Sequence, residues 1–437
     1  VVQQSLFDEL DTHPAEGSTP APRRASAPGS SERAAWDAWK ARLLPGFVAP
    51  YCRALAASRL HRSCWWVDGL AAGNRSQAAD VGAAAFAETA DALAASGFTL
   101  RGAWLEWRRS AGKAPAGVAG ADESGPASEA PTDARRSGRK GRGQPSAASR
   151  ETLAALPHED LLAALGTGPA ILLLNPFAAP PLTAEELLPL CQRQAPTELL
   201  LTISTARLEQ LATAGLADQA RQDARPGEHP PVSPALTALL RSDTWKTIWA
   251  GPGKSAEKVR RTLETLRALL KAHFLYVCVA TLDDLPTAAP RRLLLFASRQ
   301  YASVALLNDF LCAEQERLAR EREARALQGS WFARRRETAR AAAWAALKEE
   351  LHTLGRLRRA RLWPDLKPLL VLDHFGQFSA ADHDAALLEL LGEGRIACRW
   401  SSAVPPADAE ASPAGRVPGS QDFLEFLEPR TRPTWRR

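Results

Sequence analysis

The chain predicts an α/β fold, a doubly wound parallel sheet followed by a smaller helical segment, on three observations. Largely apolar runs at 64–68, 98–106 and 170–174 each end in a polar residue, Asp68, Glu106 and Asn175 in turn. Helix-length stretches alternate with these runs, which is the rhythm of parallel crossover units. The third run, Ala170-Ile171-Leu172-Leu173-Leu174, is apolar throughout, as a strand covered on both faces must be. With 437 residues, 45% of them hydrophobic, the chain suffices for one large core and a second small domain.

Residues 1–32 are dominated by Pro, Ser, Ala and Gly from position 11 onward and predict a disordered tail, with Leu6, Phe7 and Leu10 as a candidate docking motif. Trp36, Trp39, Leu43, Leu44, Phe47, Tyr51 and Leu55 recur at helical intervals, giving two helices broken near Pro45 and Pro50. The first strand, 64–68, leads to a helix over 78–95 that stops at Gly97, and then to a second strand over 98–106. Residues 111–149, rich in Gly, Ala, Ser and Pro and carrying Arg135, Arg136, Arg139, Lys140 and Arg142, form an expected disordered basic insertion. The pattern resumes with a helix over 151–164, the strand at 170–174, a helix over 183–193 and a strand over 198–204. Helices over 234–248 and 255–272 precede strands at 274–280 and 291–297, and two adjacent strands there suit a sheet with one antiparallel edge.

The main domain on this reading spans 33–312. A charged helical connector covers 313–361, and 362–401 carries a helix, a turn at Gly376, a second helix and a Gly-bounded strand, the outline of a winged helix. Residues 402–437 form a flexible tail with a docking turn at Phe423, Leu424, Phe426 and Leu427.

Composition narrows the function less than the motifs do. The formal charge of +6 arises from 55 basic against 49 acidic side chains, with much of the excess in segments expected to be disordered, so it points only weakly to a nucleic-acid partner. Six cysteines, Cys52, Cys64, Cys191, Cys278, Cys312 and Cys398, are scattered without metal-ligand spacing and predict reduced, packed thiols and no metal. No run approaches the roughly 18 apolar residues of a membrane span, and no secretory pattern opens the chain, so no membrane association and a cytoplasmic location are expected.

Ligands of doubly wound sheets bind outside the carboxyl ends of the strands. A loop that approaches a cofactor closely needs small residues, which Asp68, Gly69, Ala71 and Gly73 supply after the first strand. Glu106, ending the second, is placed to accept ribose hydroxyl hydrogens. Asn175-Pro176-Phe177, a proline-stiffened turn, can aim an amide at a reacting amine and offer Phe177 to a flat substrate; a plain strand-terminating turn has the same sequence.

Together these motifs suggest a Rossmann-like, methyltransferase-type sheet. The succession Trp66-Val67-Asp68-Gly69-Leu70-Ala71, Trp104-Leu105-Glu106, Leu173-Leu174-Asn175-Pro176-Phe177-Ala178, Trp245 and the stretch from Arg292 to Arg299 resembles the bacterial three-Cys-motif partner protein family over about residues 36–312. The resemblance implies S-adenosylmethionine (SAM) as cofactor, held by Asp68, Gly69, Ala71, Gly73 and Glu106, and an acceptor site lined by Asn175 and Phe177. It also implies a radical-SAM-like partner bearing three cysteines. The family's first strand usually ends Asp-Gly-Phe-Ala-Gly-Pro-Gly, and its third motif reads Asp-Pro-Phe-Gly. Leu70, Ala72, Gly73, Asn74, Asn175 and Ala178 depart from those patterns. An alternative reading is therefore a catalytically degenerate platform for a protein or nucleic-acid partner. A DNA-modifying enzyme ranks last, because the second proline of an Asn/Asp-Pro-Pro-Tyr/Phe motif is missing.

Overall fold

The structure is a computed structural model that describes residues 29–70, 78–106, 154–178, 181–224, 234–282, 292–325, 329–358, 362–401 and 416–427. Leu6, Phe7, Leu10 and the insertion at 111–149 lie outside the described residues. The protein is α/β, built on a mixed sheet of β1 (Ser63–Asp68), β2 (Thr99–Glu106), β3 (Ala154–Pro157), β4 (Ala170–Leu174), β5 (Thr197–Ser204), β6 (Tyr276–Leu282) and β7 (Arg292–Ser298). Their order is β3-β2-β1-β4-β5-β7-β6. The first five strands are mutually parallel, and β7 runs antiparallel to both β5 and β6. The antiparallel strand thus lies one place in from the edge, not at the edge as the sequence suggested.

Strand alternation divides the core in two. Leu172 and Leu174 of β4, with Leu199, Leu201 and Ile203 of β5, face a layer that includes Leu187, Leu208, Trp245, Leu263 and Leu266. The layer is made by α5 (Ala184–Cys191), α6 (Thr205–Ala224), α7 (Ala235–Leu240), α8 (Thr244–Ala250) and α9 (Ser255–Lys271). Ile171, Leu173, Leu200 and Phe296 face the opposite layer with Leu43, Phe47, Tyr51, Phe86 and Leu307. That layer is made by α1 (Gly29–Leu43), a π-helical turn at Leu44–Val48, α2 (Ala49–Ala57), α3 (Ala78–Ala94) and α10 (Tyr301–Arg325). Pro45 and Pro50, expected as breaks, are the second residues of the π-turn and of α2, and the backbone stays right-handed helical at Leu43 and Val48, so the chain runs on through both prolines.

Two expectations change in detail. Residues 154–157 form β3, with a short helix α4 only at Leu161–Leu165, instead of one helix over 151–164; parallel pairing with β2 overrides the local helical pattern. The boundary at 312 falls inside α10, whose first half carries the buried Val304, Leu307 and Leu311 and whose second half is charged.

A third apolar cluster, including Leu351, Trp363, Leu370, Leu387, Leu390, Ile396 and Leu424, unites α11 (Gly329–Arg358), α12 (Trp363–Asp373), α13 (Ala380–Gly392), β8 (Ile396–Arg399) and β9 (Phe423–Phe426). β9 pairs antiparallel with β8, so Phe423, Leu424 and Phe426 belong to a strand within the stretch expected to be a flexible tail. The Asn308 side chain of α10 joins this unit to the sheet. It donates to the Phe378 carbonyl and accepts the Gly376 N–H, each at 2.8 Å, and Gly376 takes the left-handed φ of +77° that the turn requires.

Candidate functional site

The chain leaves β1 for β2 and β3 on one side and returns to β4 on the other, so the strand order reverses between β1 and β4. A crevice opens at the carboxyl ends of strands at such a point. Asp68 is in register with Leu173, and the Gly69 N–H donates to the Leu173 carbonyl at 2.7 Å. Asp68 and Asn175 therefore terminate the two strands that flank the reversal. Glu106 ends β2 one strand further out, opposite Pro157 of β3. Its side chain, together with Ala71 and Gly73, lies outside the described residues.

Asp68 is only 2% exposed, and both of its oxygens are engaged within the protein. Oδ1 accepts the Leu70 N–H at 2.9 Å, setting the first turn of the loop. Oδ2 accepts from Lys40 Nζ of α1 at 2.9 Å, and the same ammonium reaches Asp37 at 2.8 Å. The Trp104 ring lies 5.8 Å from that nitrogen. Burial presses the Lys40 pKa down, but Asp68 and Asp37 outweigh it and hold the ammonium above its ordinary value. This lysine was missed from sequence. Its signal was its place at the four-residue step between Trp36 and Leu44, on the apolar stripe of α1, where a charge must be paired.

Gly69 is small because the sheet demands it. A Cβ there would come within 2.7 Å of Leu174 Cδ2 and 3.1 Å of the Leu173 carbonyl oxygen. The half-buried Asn175 accepts the Phe177 N–H on Oδ1 at 2.9 Å, closing a local turn and leaving its Nδ2 donors outside that turn. Phe177 is 1% exposed and belongs to the apolar core, so its ring is not presented to a ligand. Arg207 at the start of α6 donates to the Phe177 carbonyl at 3.2 Å and ties the turn to the next helix.

No family model, curated protein or solved structure matches this chain.

A second polar cluster lies at the opposite, amino edge of the sheet. Glu198, the second residue of β5, accepts from Ser303 Oγ at 2.9 Å, while its other oxygen lies buried without a well-formed hydrogen bond. Burial pushes its carboxyl up to about 7, against the pull of Ser298, Ser303, Tyr51 and Arg299. Burial likewise drives Tyr51 and Cys64 well above their ordinary values, and Cys52 adjoins Cys64. Both cysteines are buried, and the Cys64 thiol, pushed up by burial, stays protonated. Among the described residues no group of His, Cys, Asp and Glu is arranged to hold a metal ion. No described helix is long and apolar enough to cross a membrane.

Proposed function

We propose that this chain is a Rossmann-like, methyltransferase-type protein that binds SAM in the crevice between β1 and β4 and transfers its methyl group to an acceptor at the Asn175 turn. The observation that carries the reading is the reversal of strand order beside β1, with Asp68 and Asn175 terminating the two strands at that point. The antiparallel β7 between β5 and β6 agrees with the same architecture. The donor set suits the cofactor. Glu106 at the β2 terminus would take the ribose hydroxyls, and the Asn175 amide offers hydrogen-bond donors at the β4 terminus. Asp68 acts one step back: with both oxygens engaged, it orders the start of the loop that would border the ligand. Bound SAM supplies an electrophilic methyl group on a sulfonium. The residues then contribute chiefly position, holding an acceptor in line with that group. The resemblance to three-Cys-motif partner proteins extends the proposal to a partner bearing three cysteines.

Calorimetric titration with SAM and its demethylated product tests the reading. Saturable binding that Glu106→Ala and Asn175→Ala weaken, with unchanged thermal melting, is the expected result. A folded wild type that binds neither ligand overturns it. The second reading, a non-catalytic platform using the winged-helix-like unit of α12, α13, β8 and β9 as a contact surface, is favoured by one feature. The Asp68 carboxylate already has an internal cation in Lys40.

A further inference from the structure

A groove of about 270 Å³ opens between α1, α10, the end of β6 and the start of β7. Arg292 pairs with Ser204, the last residue of β5, so the groove lies at the same carboxyl edge of the sheet as Asp68. The same helix serves both places, with Lys40 reaching Asp68 while Trp36 and Trp39 line the groove.

We propose that this groove binds a nucleoside monophosphate unit, its base against the tryptophans and its phosphate on Arg42. Trp36 and Trp39 meet edge to face with ring centroids 5.5 Å apart, and the buried Arg292 guanidinium lies 5.0 Å from the Trp36 ring. The pair is therefore held in place before any ligand arrives, and a base has an aromatic wall ready to receive it. Trp39, 6% exposed and edge-on to Phe310, backs Trp36 from within the core, so the wall behind the groove is rigid.

The charge pattern selects an anion. Arg42 donates through Nε to Glu314 at 2.6 Å, and Arg317 holds the same carboxylate through its NH2 at 3.0 Å. Arg317 also reaches Glu321. Glu314 thus fixes the plane of the Arg42 guanidinium, whose two terminal nitrogens form no hydrogen bond to another described residue. A guanidinium oriented in this way presents a fork that matches phosphate geometry. Of the charged side chains lining the groove, Arg42, Arg292 and Arg317 outnumber Glu314 and Glu321, leaving a net positive wall. At about 270 Å³ the groove admits a single small ligand.

The proposal goes beyond methyl transfer and does not depend on it. Its test is calorimetric titration of the full chain with uridine 5′-monophosphate, uridine and inorganic phosphate, a pyrimidine series that avoids the adenosyl group of SAM. Uridine monophosphate should bind with a Kd below about 1 mM, and uridine and phosphate should each bind about tenfold more weakly or worse. Arg42→Gln should weaken uridine monophosphate about tenfold while leaving uridine unchanged, which a loss of folding could not do. Trp36→Leu, with melting unchanged, should weaken both nucleoside ligands and spare phosphate. Absence of saturable binding by the folded wild type overturns the proposal. So does phosphate binding as tightly as the nucleotide, or displacement of the nucleotide by demethylated SAM, which would place it in the β1–β4 crevice.

Discussion

Replacing Lys40 with methionine isolates the ion pair that closes on the candidate site. Methionine keeps much of the length and apolar stem of lysine but leaves Asp68, with 3% of its side chain exposed, and Asp37, with 12%, facing each other without a cation. Two ways of meeting that situation bound the cost. Breaking a buried pair from one side typically destabilises a protein by about 3–5 kcal/mol. Alternatively, one carboxyl takes a proton. An aspartate in water does so near pH 3.9, so holding one neutral at pH 7 costs about 4 kcal/mol at about 1.4 kcal/mol per pH unit. The same arithmetic leaves a deficit of only about 1.5 kcal/mol at pH 5. Lys40→Met should therefore lose about 4 kcal/mol relative to wild type at pH 7 and recover most of it at pH 5, measured by urea denaturation followed by circular dichroism. Adding Asp68→Asn should restore a large part of the loss at pH 7, because it removes the more deeply buried stranded charge. A deficit under about 1 kcal/mol at pH 7, or one equal at both pH values, would refute the claim that the pair is internal and desolvated.

Glu198 should impose the opposite pH dependence at the amino edge. Its folded carboxyl is pushed up to about 7 against an ordinary 4.5, so the folded state keeps a proton that the unfolded chain releases. That contribution is whole below 4.5 and declines as pH rises to about 7, a loss of about 3 kcal/mol that Glu198→Gln should abolish in matched denaturation series. His383, fully buried with Nδ1 against the Ser379 carbonyl at 2.7 Å, has its pKa lowered by burial. Stability should accordingly fall as pH drops below 6.5 toward the lowered value, and His383→Gln should flatten that limb in circular dichroism melts; identical limbs would count against it. Gly69→Ala should cost about 1–3 kcal/mol by chemical denaturation, because the fully buried Leu174 and the β4 backbone have little room to yield; a neutral effect would show that β1 and β4 can separate.

The parts of the fold legible in the sequence were those that one strand or helix specifies by itself. β4 is apolar at every position because helices cover both of its faces, and α5 and α13 begin at capping boxes, Thr183 with Glu186 and Ser379 with Asp382. The parts missed depend on partners distant in sequence. Residues 154–157 become a strand because β2 offers an edge to pair with, and 423–426 because β8 does; neither segment carries that information alone.

The candidate site shows the same division, and it bears on how the chemistry should be read. Strand-end positions put Asp68, Glu106 and Asn175 at the carboxyl edge as the sequence implied, yet position did not fix what each side chain does there. Phe177, whose N–H closes the Asn175 turn, is buried in the core, and Asp68 meets a lysine 28 residues earlier in the chain. An aspartate that orders its own loop and is neutralised from behind leaves ligand contact to residues around it. On this geometry the test of the crevice lies in Glu106 and Asn175, whereas Asp68 and Lys40 report on whether the crevice is built at all. Variants at the two pairs should therefore separate: loss of ligand affinity at constant stability for the first, and loss of stability at pH 7 for the second.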